Sequence, residues 1–134
     1  MIFMARTLRI AVADDEPVVL DYFRRILPRL GHEVVAAAAT GRELVELCRV
    51  HKPDLIIADV RMPDLDGDDA LQEIFSDRPT PFILVSAYSK PPNILNGFGS
   101  VGGIYLTKPV KREDLEQAID LVCPTRASSE QSTE

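Results

Sequence analysis

The chain has 134 residues, which suits one domain with a single core. Its 46% hydrophobic and 27% charged residues fit an ordinary soluble globule. The formal net charge of -6 and pI near 4.9 argue against direct nucleic-acid binding, which needs a basic face.

No apolar stretch approaches the roughly 18 residues that span a bilayer. Met1 to Thr7 is too short and too poorly patterned for a signal peptide, so the cytoplasm is expected. Cys48 and Cys123 lack zinc-site spacing and are expected as free thiols.

Leu8 to Ala13 reads as a buried strand, and Pro17 suits the first turn of a helix. Val19, Leu20, Phe23, Ile26, Leu27 and Leu30 recur at helical spacing, and Gly31 suits its stop. Glu33 to Ala37 reads as a second strand. Thr40 and Glu43 have the spacing of a capping box. Leu44, Leu47, Cys48 and Val50 are expected on the inner side of that helix, which Pro53-Asp54 ends.

Leu55 to Ala58 is a short continuous apolar run, as in a strand covered on both faces, and Asp59 follows at once. Met62 to Gly67 reads as a loop. A helix then carries Ala70, Leu71, Ile74 and Phe75, and Phe82 to Val85 is a fourth strand. Ser89 to Gly103 is rich in Pro and Gly, so any helix there is short. Ile104 to Thr107 is a fifth strand, and Glu113 to Val122 is a final helix with Leu115, Ala118, Ile119 and Val122 inward. Residues 123–134 read as a polar tail, disordered by composition.

Five strands alternating with helices imply an α/β fold: a five-stranded parallel sheet with helices on both faces. Ligands bind such sheets beyond the carboxyl ends of the strands. That rule gathers Asp14, Asp15, Asp59, Ser86 and Lys108 on one edge. Converging carboxylates repel unless neutralised, and a hard divalent cation such as Mg²⁺ does this. Asp59 can then act as a nucleophile toward phosphorus, with Lys108 offsetting charge and Ser86 donating to a phosphoryl oxygen.

The ordered motifs are Ala13-Asp14-Asp15-Glu16 after the first strand, and Asp59 before Met62-Pro63 and Asp66-Gly67. Ser86-Ala87 follows the fourth strand, and Lys108-Pro109 the fifth. With these motifs the chain resembles the receiver domain of two-component response regulators, of the single-domain, chemotaxis-receiver type, over residues 8–122. The resemblance implies a flavodoxin-like doubly wound fold. It implies Asp59 as phosphoacceptor, Lys108 as the charge partner, and Ser86 with Tyr105 as the switch pair. The implied metal ligands are Asp14, Asp15, Asp59 and the backbone carbonyl of Arg61, for Mg²⁺ with Mn²⁺ as a substitute. No organic cofactor is implied. Pro109 is expected after a cis bond.

The implied partners are a histidine kinase or phosphotransfer protein as donor, and a downstream effector or output domain. No nucleic acid or membrane is expected, and the chain is expected as a monomer or weak dimer. In the family, output passes through the fourth helix, fifth strand and fifth helix, and side chains at the places of Arg61 and Tyr88 tune phosphoryl lifetime. The compact Asp59–Ser86 segment, with Ala87-Tyr88 and Tyr105-Leu106, is similar to receivers joined to RNA-binding antiterminator modules, although no basic module follows residue 122. A stand-alone receiver, or one cut from a longer protein, is expected.

Three rival readings stand beside this. A receiver that only docks proteins would lack the complete set of acids, hydroxyl and lysine. A haloacid-dehalogenase-type phosphatase would use Asp64-Leu65-Asp66 as its DxD, but that motif should follow a strand directly. A calcium loop over Asp64, Asp66 and Asp68 would need an oxygen ligand where Met62 stands. His32 and His51 read as surface residues beside helix ends, and Arg24, Arg25 and Arg29 as a solvated helix face.

Overall fold

In the computed structural model, residues 7–87 and 102–124 are described. The elements are β1 (Arg9–Ala13), α1 (Pro17–Arg29), β2 (Glu33–Ala38), α2 (Gly41–His51), β3 (Leu55–Asp59), α3 (Gly67–Asp77), β4 (Phe82–Ser86), β5 (Gly103–Thr107) and α4 (Arg112–Val122). The expectations for Tyr88, for most of the Ser89–Gly103 segment and for tail residues 125–134 lie outside the described residues.

Local chemistry sets the helix ends. Pro17 opens α1, where its missing N–H leaves no helical bond unmade. Gly31 takes a φ of +93° just past the end of α1, which only glycine adopts freely. At α2, the Glu43 N–H donates to Thr40 Oγ1 at 3.1 Å, and Glu43 Oε1 accepts from the Ala39 N–H at 2.8 Å. The first bond satisfies a donor that the first helical turn leaves free, and the second ties Glu43 back to the residue before the cap.

The five strands form one parallel sheet in the order β2-β1-β3-β4-β5. Strand alternation sends Ala11, Ala13, Ile56, Ala58, Phe82 and Leu84 into a core with α2 and α3. Ile10, Val12, Leu55, Ile57, Ile83 and Val85 face the other way, into a core with α1 and α4. The α2–α3 side is built on a bed of small side chains: Ala11, Ala13, Ala36, Ala38 and Ala58. A register shift between Ile10 and Ala11 leaves Val35 as an extra residue in β2.

One inward residue was misplaced by the helical pattern. Val50 is 73% exposed, and Val45 takes its place in the core beside Leu44 and Cys48. Two residues of helix turn the chain by about 200°, so Val50 points away from Cys48. Leu47 is half-buried at the edge of the same stripe.

Candidate functional site

Strand register builds the site. Ala13 pairs with Ala58, so the residues that follow, Asp14 and Asp59, come side by side. Asp59 pairs with Val85 and Ser86 with Thr107, which brings Ser86 and Lys108 to the same edge. The Lys108 N–H donates to the Ser86 carbonyl at 2.7 Å. The Lys108–Pro109 bond is cis.

Asp14 is 1% exposed and Asp59 8% exposed, so both carboxylates are held in the protein rather than in water. Asp15 is exposed at the mouth. Carboxylate oxygens of Asp14, Asp15 and Asp59 all lie within 4.8 Å of one another. Lys108 Nζ stands 2.9 Å from Asp14 Oδ2 and 3.4 Å from Asp59 Oδ2. It also reaches Glu16 Oε1 at 3.5 Å. Three clustered carboxylates face one ammonium, so the site keeps an excess of negative charge.

The titration of these groups reflects that excess. Burial raises the Asp59 pKa, and the Asp14 carboxylate raises it further. Lys108 and the Arg61 N–H, both donating to Asp59, offset this only in part. For Lys108, burial works to lower the pKa, but the Asp14 and Asp59 carboxylates outweigh it and hold the ammonium above its ordinary range. A hard divalent cation suits this donor set: all oxygen, clustered, under-neutralised and open to water through Asp15. Asp14, Asp15 and Asp59 are the side chains that could hold it.

The remaining expected residues fall nearby. Ser86 is buried at the end of β4. Tyr105 is half-buried on β5, against the core on the α2–α3 side. Arg61 is exposed in the loop after β3, where its N–H donates to Asp59.

Four further residues shape the site without having been singled out as its parts. A Cβ at Gly67 would overlap the Asp59 carbonyl oxygen, so α3 begins pressed against the backbone of Asp59. The Gly67 N–H donates to Val60 O at 2.7 Å. A Cβ at Gly41 would likewise overlap the Leu65 carbonyl, so the β3–α3 loop rests on the start of α2. The Tyr22 hydroxyl donates to Val110 O at 3.2 Å, tying α1 to the segment that follows Lys108-Pro109. Glu16 supplies a third acid to Lys108. Only Glu16 and Gly67 carry a hint in the sequence, in the Ala13-Asp14-Asp15-Glu16 and Asp66-Gly67 motifs.

The rival acids serve the loop. Asp64 has a left-handed φ of 61°, and its Oδ1 accepts from the Arg42 N–H at 3.1 Å. Asp66 Oδ1 accepts from the Met62 N–H at 3.4 Å. Neither follows a strand directly, as a dehalogenase-type nucleophile would. Asp66, Asp68 and Asp69 form a second acid group at the start of α3, where carboxylates complement the helix dipole.

Residues 10–120 match the family described as response regulator receiver domain. The chain is 39% identical over 113 residues to the transcriptional regulatory protein PdtaR of Mycobacterium tuberculosis, covering 84% of this chain and 55% of that protein. It is 32% identical over 113 residues to the chemotaxis protein CheY of Bacillus subtilis, covering 84% of this chain and 94% of CheY. The crystal structure of the response regulator domain of Thermotoga maritima CheB aligns with a TM-score of 0.74 and 28% identity, covering 87% of this chain and 97% of that one. This chain therefore spans about half the length of PdtaR but nearly all of CheY.

Proposed function

The chain belongs to the response regulator receiver family, and on that premise we propose that Asp59 receives a phosphoryl group from a phosphohistidine and so switches the domain's signalling surface. One observation carries the assignment: Lys108 Nζ stands between Asp14 and Asp59, at 2.9 and 3.4 Å, at the edge where three carboxylates converge.

In this reading a carboxylate oxygen of Asp59 attacks phosphorus in line with the P–N bond. That bond breaks, the imidazole leaves with its electron pair and takes a proton, and an acyl phosphate remains. Lys108 offsets charge on the transferred group, and the Ser86 hydroxyl donates to one of its oxygens. Positioning and charge stabilisation are the main demands of such a transfer. Asp14, Asp15, Asp59 and the Arg61 carbonyl are the proposed ligands for Mg²⁺, or Mn²⁺ in its place. The ion supplies neutralisation of the phosphoryl oxygens.

Movement of Ser86 toward the phosphoryl group opens space that the Tyr105 ring can enter, which links one charge change to a two-state surface. Residues 8–122 constitute the proposed receiver, and 123–134 its tail. The proposed partners are a histidine kinase or phosphotransfer protein and a downstream effector or output domain. Among the described residues no helix is long and apolar enough to cross a membrane, and a cytoplasmic monomer or weak dimer is the proposed form.

The donor needs a surface to rest on. An apolar groove lined by Val18, Val19, Tyr22, Val110 and Pro109 shares Lys108 with the acidic site, and Val18 is 80% exposed. A protein presenting a phosphohistidine would cover this groove while its imidazole reached Asp59.

The test is intact mass after incubation with phosphoramidate and Mg²⁺. The expected result is an adduct of about 80 Da, lost on chelation of the metal and in Asp59→Asn. An adduct that survives in Asp59→Asn would overturn the assignment. No adduct and no stable beryllofluoride complex would favour a receiver that only docks proteins.

A further inference from the structure

We propose that a cavity at the amino end of the sheet, opposite the acidic site, binds a small amphipathic anion: an organic carboxylate or sulfonate with a short apolar body. The cavity holds about 560 Å³ between the last turns of α2 and α3 and the segments entering β3 and β4. That is within the usual range for small-molecule sites. Five-residue strands separate it from the acidic edge by about 16 Å, at some 3.3 Å per residue.

The floor is apolar. Val45, Cys48 and Ile74 are all buried and line it. Burial pushes the Cys48 thiol up to about 12, so it acts as an uncharged wall. A bare inorganic anion would gain nothing from this floor.

The rim is cationic. Arg49, Lys52 and Arg78 line it against one acid, Asp77. Arg49 commits Nε to Asp77 Oδ2 at 2.8 Å, and Arg78 commits Nη1 to the Pro53 carbonyl at 2.8 Å. The other guanidinium donors of both, and the Lys52 ammonium, have no protein partner among the described residues. Arg9 Nη1 donates to the Lys52 carbonyl at 3.1 Å, and Asp54, whose Oδ2 accepts the Arg9 N–H at 2.8 Å, offsets its charge.

Opposing terms are real but smaller. Glu46 and Glu73 act on Arg49 from a distance, and Glu73 is itself paired with Arg42. The carboxyl ends of α2 and α3 together contribute about one negative charge. Arg49, Lys52 and Arg78 against Asp77 and the helix ends leave about one positive charge at the rim, in a chain whose net charge is -6. Spare cationic donors above an apolar floor match an anionic head on an apolar body.

A matched dye pair tests this on the full chain: 1-anilinonaphthalene-8-sulfonate and its uncharged analogue N-phenyl-1-naphthylamine, titrated by fluorescence, with amide shifts mapped by NMR. At low salt the sulfonate is expected to bind about fivefold tighter or more. Amide shifts are expected at Val45, Ile74 and Thr80. Lys52→Asn, which tolerates the left-handed backbone at φ 48°, should reduce the preference for the sulfonate, as should Arg78→Gln. Equal affinity for both dyes would overturn the proposal. So would shifts centred on Val18, Tyr22 and Val110, a preference unchanged in both variants, or no binding at millimolar dye.

Discussion

At the carboxyl end of the sheet, Asp14 and Asp59 are almost wholly buried and share one lysine. At the amino end, Arg49 and Asp77 pair in the open, with half of each side chain exposed, above an apolar cavity. The same kinds of charge do different work at the two ends. Burial and the Asp14 carboxylate raise the Asp59 pKa, and the clustered acids call for a cation. An exposed pair is screened by water and contributes little to stability. The chemistry is therefore expected at the crowded end, and tolerance of change at the open one.

Gly67→Ala should break the crowded end most severely. Its Cβ would overlap the Asp59 carbonyl, and the overpacking should cost about 1–3 kcal/mol in urea unfolding. An unaltered unfolding midpoint would mean that the loop moves aside freely. Asp15→Asn should weaken Mg²⁺ binding by about tenfold or more, read by calorimetric titration, with little change in stability because Asp15 is exposed. Unchanged affinity would remove Asp15 from the ligand set.

A subtler effect involves a residue at the amino end, just before β2. His32 Nδ1 accepts the Leu8 N–H at 3.1 Å, and burial lowers its pKa from 6.5, against the opposing pull of Asp120 and Glu116. The unfolded chain therefore binds the proton first as pH falls. His32's contribution is full above about pH 6.5 and declines below it. His32→Asn keeps an acceptor without the titration, so its stability should fall less than that of the parent between pH 7 and 5. Parallel pH curves for the two proteins would refute the coupling. Arg49→Gln should have the smallest effect: an unfolding midpoint within experimental scatter, since its ion pair is exposed.

Most of the site was legible because its residues follow apolar runs directly. Leu55 to Ala58 and Phe82 to Val85 could hardly be other than buried strands, and Asp59 and Ser86 come next. What stayed hidden depends on contacts across the fold. His32 read as a surface residue because its partner, Leu8, is 24 positions away and meets it only when β1 and β2 align. Nothing local to Gly41 announces that Leu65 will press on it. Val50 is apolar, but its angle around α2, about 200° from Cys48, carries it out of the buried stripe.

The bed of alanines under α2 and α3 has a consequence for the site above it. Side-chain size sets how closely a helix can ride on a sheet. The alanines of β1 and β2 leave little bulk on the sheet side beneath α2, and the start of its first turn touches the loop that follows Asp59. The height of that loop above the strand ends is thus a matter of thickness, set by the smallest side chains in the core. A larger residue at Ala13 or Ala58 would act as a shim: it would tilt α2 and shift the acidic edge without altering the carboxylates that form it.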